Sequence, residues 1–312
     1  MSRLATLGAL VLVTLAAGLA AVWVGVDGWG AGLNGELVLL RLPRVLGAMV
    51  AGAALGAAGA AQQGLFRNPL ADPGLTGVFG GALLGVTALV ALGAGVAWEK
   101  PWLLPVAAGA GALAATLALV AFARGKSPSG LLLAGLGINA LAGAATLALT
   151  AWADESRSTL AMVQAGSWLG HMTLELAAWP TMAAGAAVLG LWLMARRLDA
   201  LGLGETGAWL AGVDPGATGR RAALLTSVAA GAATCLCGQM AFVGLLAPHL
   251  ARALTGPRHA WLLPTSAAAG ALVVLAADTA GRVGLLGKPL PASALVALVG
   301  APAFLWLARR HV

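Results

Sequence analysis

Few residues in this chain are equipped for chemistry, and their spacing argues against each familiar use. Cys235 and Cys237 are its only cysteines, two apart in "TCLCGQ". At i and i+2 they do not share a helix face, and no second pair completes a metal site. They read as small packing residues. Among the four histidines, His171 falls in "SWLGHM" and His249 in "APHLAR", and both read as structural or surface groups. No H-E-x-x-H, no carboxylate pair inside an apolar stretch and no G-x-S-x-G is present. "RGKSPSG" supplies Gly125, Lys126 and Ser127, the tail of a phosphate loop. Val120 stands where its first glycine belongs, and no strand precedes it. The chain therefore shows no ATPase site, metal site or catalytic pair of its own.

What does stand out is a polar interruption, "QGLFRNPLADPGLTG" at 63–77. It sets Arg67, Asn68 and Asp72 beside Pro69 and Pro73 within an otherwise greasy region. The prolines read as helix stops that end one apolar element and start the next. Gln62, Gln63 and Asn139 are the main polar residues inside apolar stretches. They serve either as interhelical hydrogen-bonding glue or as the lining of a polar pathway.

The elements that must position these residues follow from composition. Of 312 residues, 60% are hydrophobic and only 9% charged, against about 25% charged in an ordinary soluble domain. With mean hydropathy of +0.91, most of the surface must face lipid, which predicts an all-α polytopic membrane protein. The 45 glycines fit helices packed closely through small residues. The net charge of +7 is carried by single or paired cations in short loops. That suits membrane orientation rather than nucleic acid.

Apolar stretches near bilayer length occur at 4–26, 45–66, 74–98, 102–123, 131–153, 176–195, 222–251, 260–277 and 289–308. The first exceeds a signal-peptide core and reads as a span. With the N-terminus inside, the inner loops hold Arg67, Arg124, Lys126, Arg196, Arg197, Arg220 and Arg221. The outer loops then collect Asp27, Glu36, Glu99, Asp154, Glu155 and Glu175, with Arg41, Arg44, Lys100 and Arg157. The basic C-terminus "ARRHV" also belongs inside, which nine crossings forbid. Block 222–251 is too long for one simple crossing. Gly231, Gly238, Gly244 and Pro248 allow it to break. The sequence thus predicts ten crossings, both termini cytoplasmic and a single transmembrane domain over 1–312. An outer loop at 154–175 should hold a short interfacial helix, and an inner loop at 196–221 alternates helix-forming and Gly-rich pieces. Arg44 and Arg221 each precede a Gly/Ala-rich span and a Pro-bearing loop, a weak internal echo of the kind transporters show.

Three long segments carry a resemblance. "RLPRVLGAMVAGAALGAAGAAQQGLFRNPLADPGLTGV" at 41–78, "GQMAFVGLLAPHLARALTGPRHAWLLPTSAAAGALVVLAADTAGR" at 238–282 and "KPLPASALVALVGAPAFLWLARR" at 288–310 resemble, in order, the permease subunits of type II ABC importers of iron–siderophores, haem or vitamin B12. The resemblance implies a homodimer with its pathway at the subunit interface and an external substrate-binding protein. It also implies two cytoplasmic ATPase subunits, which would hold ATP and magnesium while this chain holds no cofactor. By the same resemblance Arg41, Arg44 and Arg282 would dock the binding protein. Arg presents a planar fork matched to carboxylates. Gly204, Glu205, Ala208 and Gly212 within "LGLGETGAWLAGV" would couple to the ATPase, although Trp209 is bulkier than the family pattern. Asn68 and Leu70, with Ser127 and Pro128, would form the cytoplasmic gate. Pro128 and Gly130 depart from a more polar family pattern. "GPRHAWLLP" has Arg258 where the family more often has Asp, which predicts a missing acidic partner. The competing reading is an ion-coupled secondary carrier, and no membrane-embedded carboxylate relay supports it.

Overall fold

The fold is seen in a computed structural model that describes residues 2–25, 28–29, 35–74, 77–92, 100, 103–123, 128–152, 168–284 and 290–311. Twelve α-helices fall within them: α1 (Arg3–Trp23), α2 (Gly35–Leu65), α3 (Val78–Leu92), α4 (Leu103–Ala123), α5 (Pro128–Trp152), α6 (Leu174–Leu193), α7 (Ala195–Leu201), α8 (Gly204–Leu210), α9 (Pro215–Cys237), α10 (Val243–Thr255), α11 (His259–Val283) and α12 (Ala292–His311). The only strands among the described residues are a two-residue antiparallel pair, Val24–Gly25 with Gly28–Trp29. Arg3–Trp23, Arg41–Leu65, Leu133–Trp152, Leu174–Leu193 and His259–Val283 are long and apolar enough to cross a bilayer. Val78–Leu92, Val106–Phe122 and Ala292–Leu305 are shorter apolar helices.

Helix α2 is the central post. It packs on α11, α9, α10, α6 and α1, and its residues from Ala48 to Ala61 are almost wholly buried. Lipid-like interiors give helices no hydrophobic drive to associate, so close approach and dispersion must hold them. A Cβ on Gly52 would lie 2.2 Å from the Gly270 carbonyl oxygen, one on Gly56 2.1 Å from that of Ser266, and one on Gly59 2.0 Å from that of Gly244. That stripe lets α2 lie backbone to backbone on α11 and α10. Helices α3 and α4 do the same, with Gly81 against Gly111. By contrast, α1 turns Leu4, Leu12, Val13, Leu15 and Leu19 outward. Buried hydroxyls lie against carbonyls of their own helices, Thr116 Oγ1 2.8 Å from the Ala112 oxygen and Ser227 Oγ 2.7 Å from the Ala223 oxygen. The two hydroxyls also lie 2.7 Å apart, so one donates to the other and ties α4 to α9 while the other donates to its own helix carbonyl.

Several boundaries differ from the sequence reading. The apolar block 45–66 extends back to Gly35, so "RLPR" is helical and Pro43 lies inside α2. Both arginines find acceptors outside α2, Arg41 at Val22 and Arg44 at Asp278, so their charge does not require a loop. "ADTAGR" is likewise the last turns of α11. Block 222–251 does break, at Gly238 with φ +74° and Phe242 with φ +68°. Its helix α9 starts earlier, at Pro215, where Asp214 Oδ1 accepts from Ala217 N–H and caps it. Of the 154–175 loop, residues 154–167 lie outside the described set. A 3-10 turn spans Trp168–His171, and α6 begins at Leu174 behind the Thr173 cap. The 196–221 loop is helical in pieces, α7, α8 and the first turns of α9.

Candidate docking, pathway and coupling sites

Arg41 and Arg44 stand three apart on α2, hence on one face. The side chain of Arg44, 29% exposed, reaches Asp278 on α11, which is 1% exposed. Its Nε donates to Oδ1 and Oδ2 at 3.0 and 3.1 Å, and Nη2 donates to Oδ1 at 2.8 Å. Arg282, one turn after Asp278, holds its Nε 3.2 Å from Oδ2. It donates from Nη1 to the Val24 carbonyl at 2.9 Å and from Nη2 to Thr279 Oγ1 at 3.2 Å. Arg41 donates to the Val22 carbonyl at 3.3 Å. The structure therefore brings all three sequence-selected arginines to one end of the bundle, but unequally. Arg282 is 5% exposed and turned inward as a clip on the end of α1, while Arg41 and Arg44 are only half-buried. Asp278, which sequence reading passed over, organises the group. Its signal was the i, i+4 spacing of acid and base in "DTAGR".

At the other end of α2, about 32 Å away over 21 residues, the chain turns through 66–74. Arg67 takes φ +48°, unusual for a side-chain-bearing residue. Asn68 Oδ1 accepts from Leu70 N–H at 2.9 Å, and Asp72 Oδ1 accepts from Gly74 N–H at 2.7 Å. Such side-chain-to-backbone bonds fix tight turns where prolines withhold donors. Asn68 and Leu70 are half-buried. Ser127 lies outside the described residues, and Pro128 is the first residue of α5.

A cleft of about 810 Å³ opens between α3, α5, the α9–α10 link and α12. Phe79, Asn139, Thr146, Gln239 and Ser293 are among its lining. Asn139 both lines it and glues it: its Oδ1 accepts from Gly80 N–H at 3.2 Å and its Nδ2 donates to the Gly74 carbonyl. Gln63 is glue. Buried at 3%, it donates to the Gly244 carbonyl at 3.3 Å and accepts from Arg252 at 2.5 Å. A second, almost wholly apolar cleft of about 760 Å³ runs between α10, α11 and α12 past His249. That histidine's Nδ1 lies 3.0 Å from the Leu245 carbonyl. Cys235 and Cys237 are free and buried. Among the described residues no cluster of His, Cys, Asp or Glu suits a metal.

The segment α7–α8 leaves the bundle next to the 66–74 turn. Gly204 and Gly212, with φ +87° and +74°, bound α8 in conformations that a side chain resists. Ala208 is the fully buried residue of α8, while Glu205 is exposed. Leu203, Trp209 and Leu210 project outward, Leu210 at 86% exposure. Arg67, Leu65, Leu201, Gly204, Glu205 and Pro215 enclose a pocket of about 150 Å³, so the α7–α8 segment and the 66–74 turn are direct neighbours. A second joint was invisible in the sequence. Asp199 Oδ1 accepts from His259 N–H at 2.9 Å and from His259 Nδ1–H at 2.7 Å. Burial raises the Asp199 carboxyl pKa, but the hydrogen bonds and charge of His259, with the charge of Arg258, outweigh it and hold the group below the ordinary value. The acid at this corner is Asp199 on α7, 60 residues from its partner His259 in sequence.

The chain resembles known proteins along nearly its whole length. The profile of the FecCD transport family matches residues 4–310. The hemin transport system permease protein HmuU of Yersinia pestis is 38% identical over 284 residues, covering 87% of this chain and 82% of that protein. The vitamin B12 import system permease protein BtuC of Salmonella typhi is 36% identical over 292 residues, covering 91% and 87%. A solved chain assigned to a metal-chelate type ABC transporter, in an inward-facing conformation, superposes with TM-score 0.82 at 27% identity over 99% of both chains. An integral membrane chain matched along its whole length in this way is a member of the FecCD transport family of ABC transporter permeases.

Proposed function

We propose that the chain is the permease of an ATP-driven importer that moves an iron chelate, haem or cobalamin inward across the bacterial cytoplasmic membrane. An external binding protein delivers the cargo, two separate ATPase subunits bind ATP and magnesium, and two copies of this chain enclose the pathway. Ten crossings with both termini cytoplasmic fit the charge distribution. The observation that carries the reading is the placement of α7–α8. A short helix with exposed Leu203, Trp209 and Leu210 adjoins the turn that bears Asn68 and Leu70. Exposed apolar side chains on a short surface helix suit a partner protein. In this reading Gly204, Glu205, Ala208 and Gly212 shape the ATPase contact. Asn68, Leu70, Ser127 and Pro128 form the inner gate. Arg41 and Arg44 meet carboxylates of the binding protein, with Arg282 holding the outer end of α11 in register.

An ion-coupled carrier finds no favouring observation. The described buried carboxylates inside or next to the spans, Asp72 and Asp278, sit at opposite ends of α2, too far apart for a relay. Reconstitution tests the proposal. Vesicles holding the chain with its ATPase subunits and binding protein should take up radiolabelled haem, ferric siderophore or cobalamin only with ATP, and vanadate should stop it. Uptake driven by a proton or sodium gradient in the absence of ATP would overturn it.

A further inference from the structure

We propose that Asp199 and His259 form a latch that carries movement of the coupling segment to the gate turn, which makes them positioning residues for transport. The inference rests on the coupling and gate assignments above. Helix α11 begins without a cap of its own, since the Arg258 side chain makes no capping bond. The first N–H groups of a helix lack intrahelical partners. Here Asp199, on α7, supplies one from outside, and the same oxygen also takes the ring Nδ1–H of His259. Two bonds to one oxygen from the backbone and side chain of one residue fix both the position and the rotation of the helix start. A carboxylate is electrostatically favoured at that end.

The ring of His259 then presses on the last turn of α2. It is 7% exposed, and a Cβ on Gly64 would lie 2.5 Å from its Nε2. Among the described residues no hydrogen-bond partner meets Nε2, so the ring contacts α2 by packing alone. Gly64 is where the gate turn starts: its carbonyl accepts from Arg67 N–H at 3.3 Å, and the Gln63 carbonyl accepts from Asn68 N–H at 3.2 Å. The route runs from Asp199 through His259 to Gly64, and from Gly64 through the adjoining Gln63 carbonyl to Asn68, and packed interiors transmit displacement rather than absorb it. Leu198 and Leu201 of α7 are buried with Ala57, Ala60 and Ala61 of α2 and Leu262 and Leu263 of α11. This shared core keeps α7 close, while the directional latch resists its sliding.

The test uses the full complex with its ATPase subunits in nanodiscs. Asn68→Cys is spin-labelled in both copies, in a background with Cys235→Ala and Cys237→Ala. The separation between labels is read without nucleotide and after trapping with ATP and vanadate. Asp199→Ala should cut the nucleotide-driven change at least threefold while the ATPase subunits still co-purify and trap vanadate. Asp199→Asn, which keeps an acceptor oxygen, should retain most of the change. Should Asp199→Ala not assemble, His259→Gln serves instead, since it loses the ring against Gly64, and the same loss is expected. A full-sized change in the truncated variant overturns the latch. If the complex with intact Asp199 and His259 shows no nucleotide-driven change at position 68, the gate assignment fails and the latch fails with it.

Discussion

Arg44 grips Asp278 through three hydrogen bonds of 2.8 to 3.1 Å, joining residues 234 positions apart in sequence. Because Arg282 lies 3.2 Å from the other side of the same carboxylate, one buried acid balances two guanidinium groups. Removing one partner of such a group leaves an uncompensated buried charge, which costs about 3–5 kcal/mol. Asp278→Ala should therefore lower the melting temperature of the detergent-solubilised protein far more than Arg41→Ala does. Equal effects would mean that Asp278 is not the organiser of the group.

The same arrangement divides the three arginines. Arg41→Glu and Arg44→Glu should weaken capture of the loaded binding protein, about tenfold or more at low salt, with the difference shrinking as salt rises. Arg282→Glu should damage the fold instead, because the side chain is buried on the Val24 carbonyl. Surface plasmon resonance on nanodisc-embedded permease, paired with thermal melts, separates the two outcomes. Unchanged affinity for both Arg41→Glu and Arg44→Glu would remove these residues from the docking surface.

Apolar runs made most of the fold legible, because a helix crossing lipid must satisfy its own backbone and read as one long apolar stretch. The break at Gly238 was legible as excess length. What local patterns hid was long-range pairing. "RLPR" looked like a loop because it is charged, yet α2 runs through it: Arg44 finds its acid on α11, and Arg41 an acceptor at Val22. Asp199 follows Arg196 and Arg197 closely in sequence, with no motif to mark it. Its partner His259 lies on a different helix, and no spacing rule connects them.

Glycine substitutions separate contact from composition. Gly56→Leu would drive a side chain into the Ser266 carbonyl, 2.1 Å from the Cβ position, and should abolish well-behaved protein on size exclusion. Gly137→Leu, with nothing within 4 Å, should be tolerated. A monodisperse Gly56→Leu variant would contradict the backbone-to-backbone packing of α2 on α11.

Acid should loosen the Asp199 joint. The folded-state pKa lies below the ordinary value of 3.8, so the unfolded chain binds its proton first as pH falls. The contribution is complete above 3.8 and is lost as pH drops through the lower folded value. The difference in melting temperature between unmodified protein and Asp199→Asn should be present at about pH 5 and shrink as pH falls below the ordinary carboxylate value. A gap that persists undiminished in strong acid would show that the substitution acts through packing rather than charge.

Gly212 offers the most direct test of the coupling segment, because space and backbone can be told apart there. A Cβ at this position would meet nothing within 4 Å, yet the residue holds φ +74°. Substitution is therefore strained by conformation alone, by about 1–2 kcal/mol for an ordinary L-residue, and more for a β-branched one. Gly212→Val should reset the exit from α8 and swing Trp209 and Leu210 out of the position in which the proposed function sets them against an ATPase subunit. ATP-dependent uptake should fall several-fold while the chain still folds, since the position is exposed. Gly212→Asn, which tolerates the left-handed region, should keep most of the transport. If valine and asparagine behave alike, and both like glycine, the left-handed turn after α8 has no part in coupling.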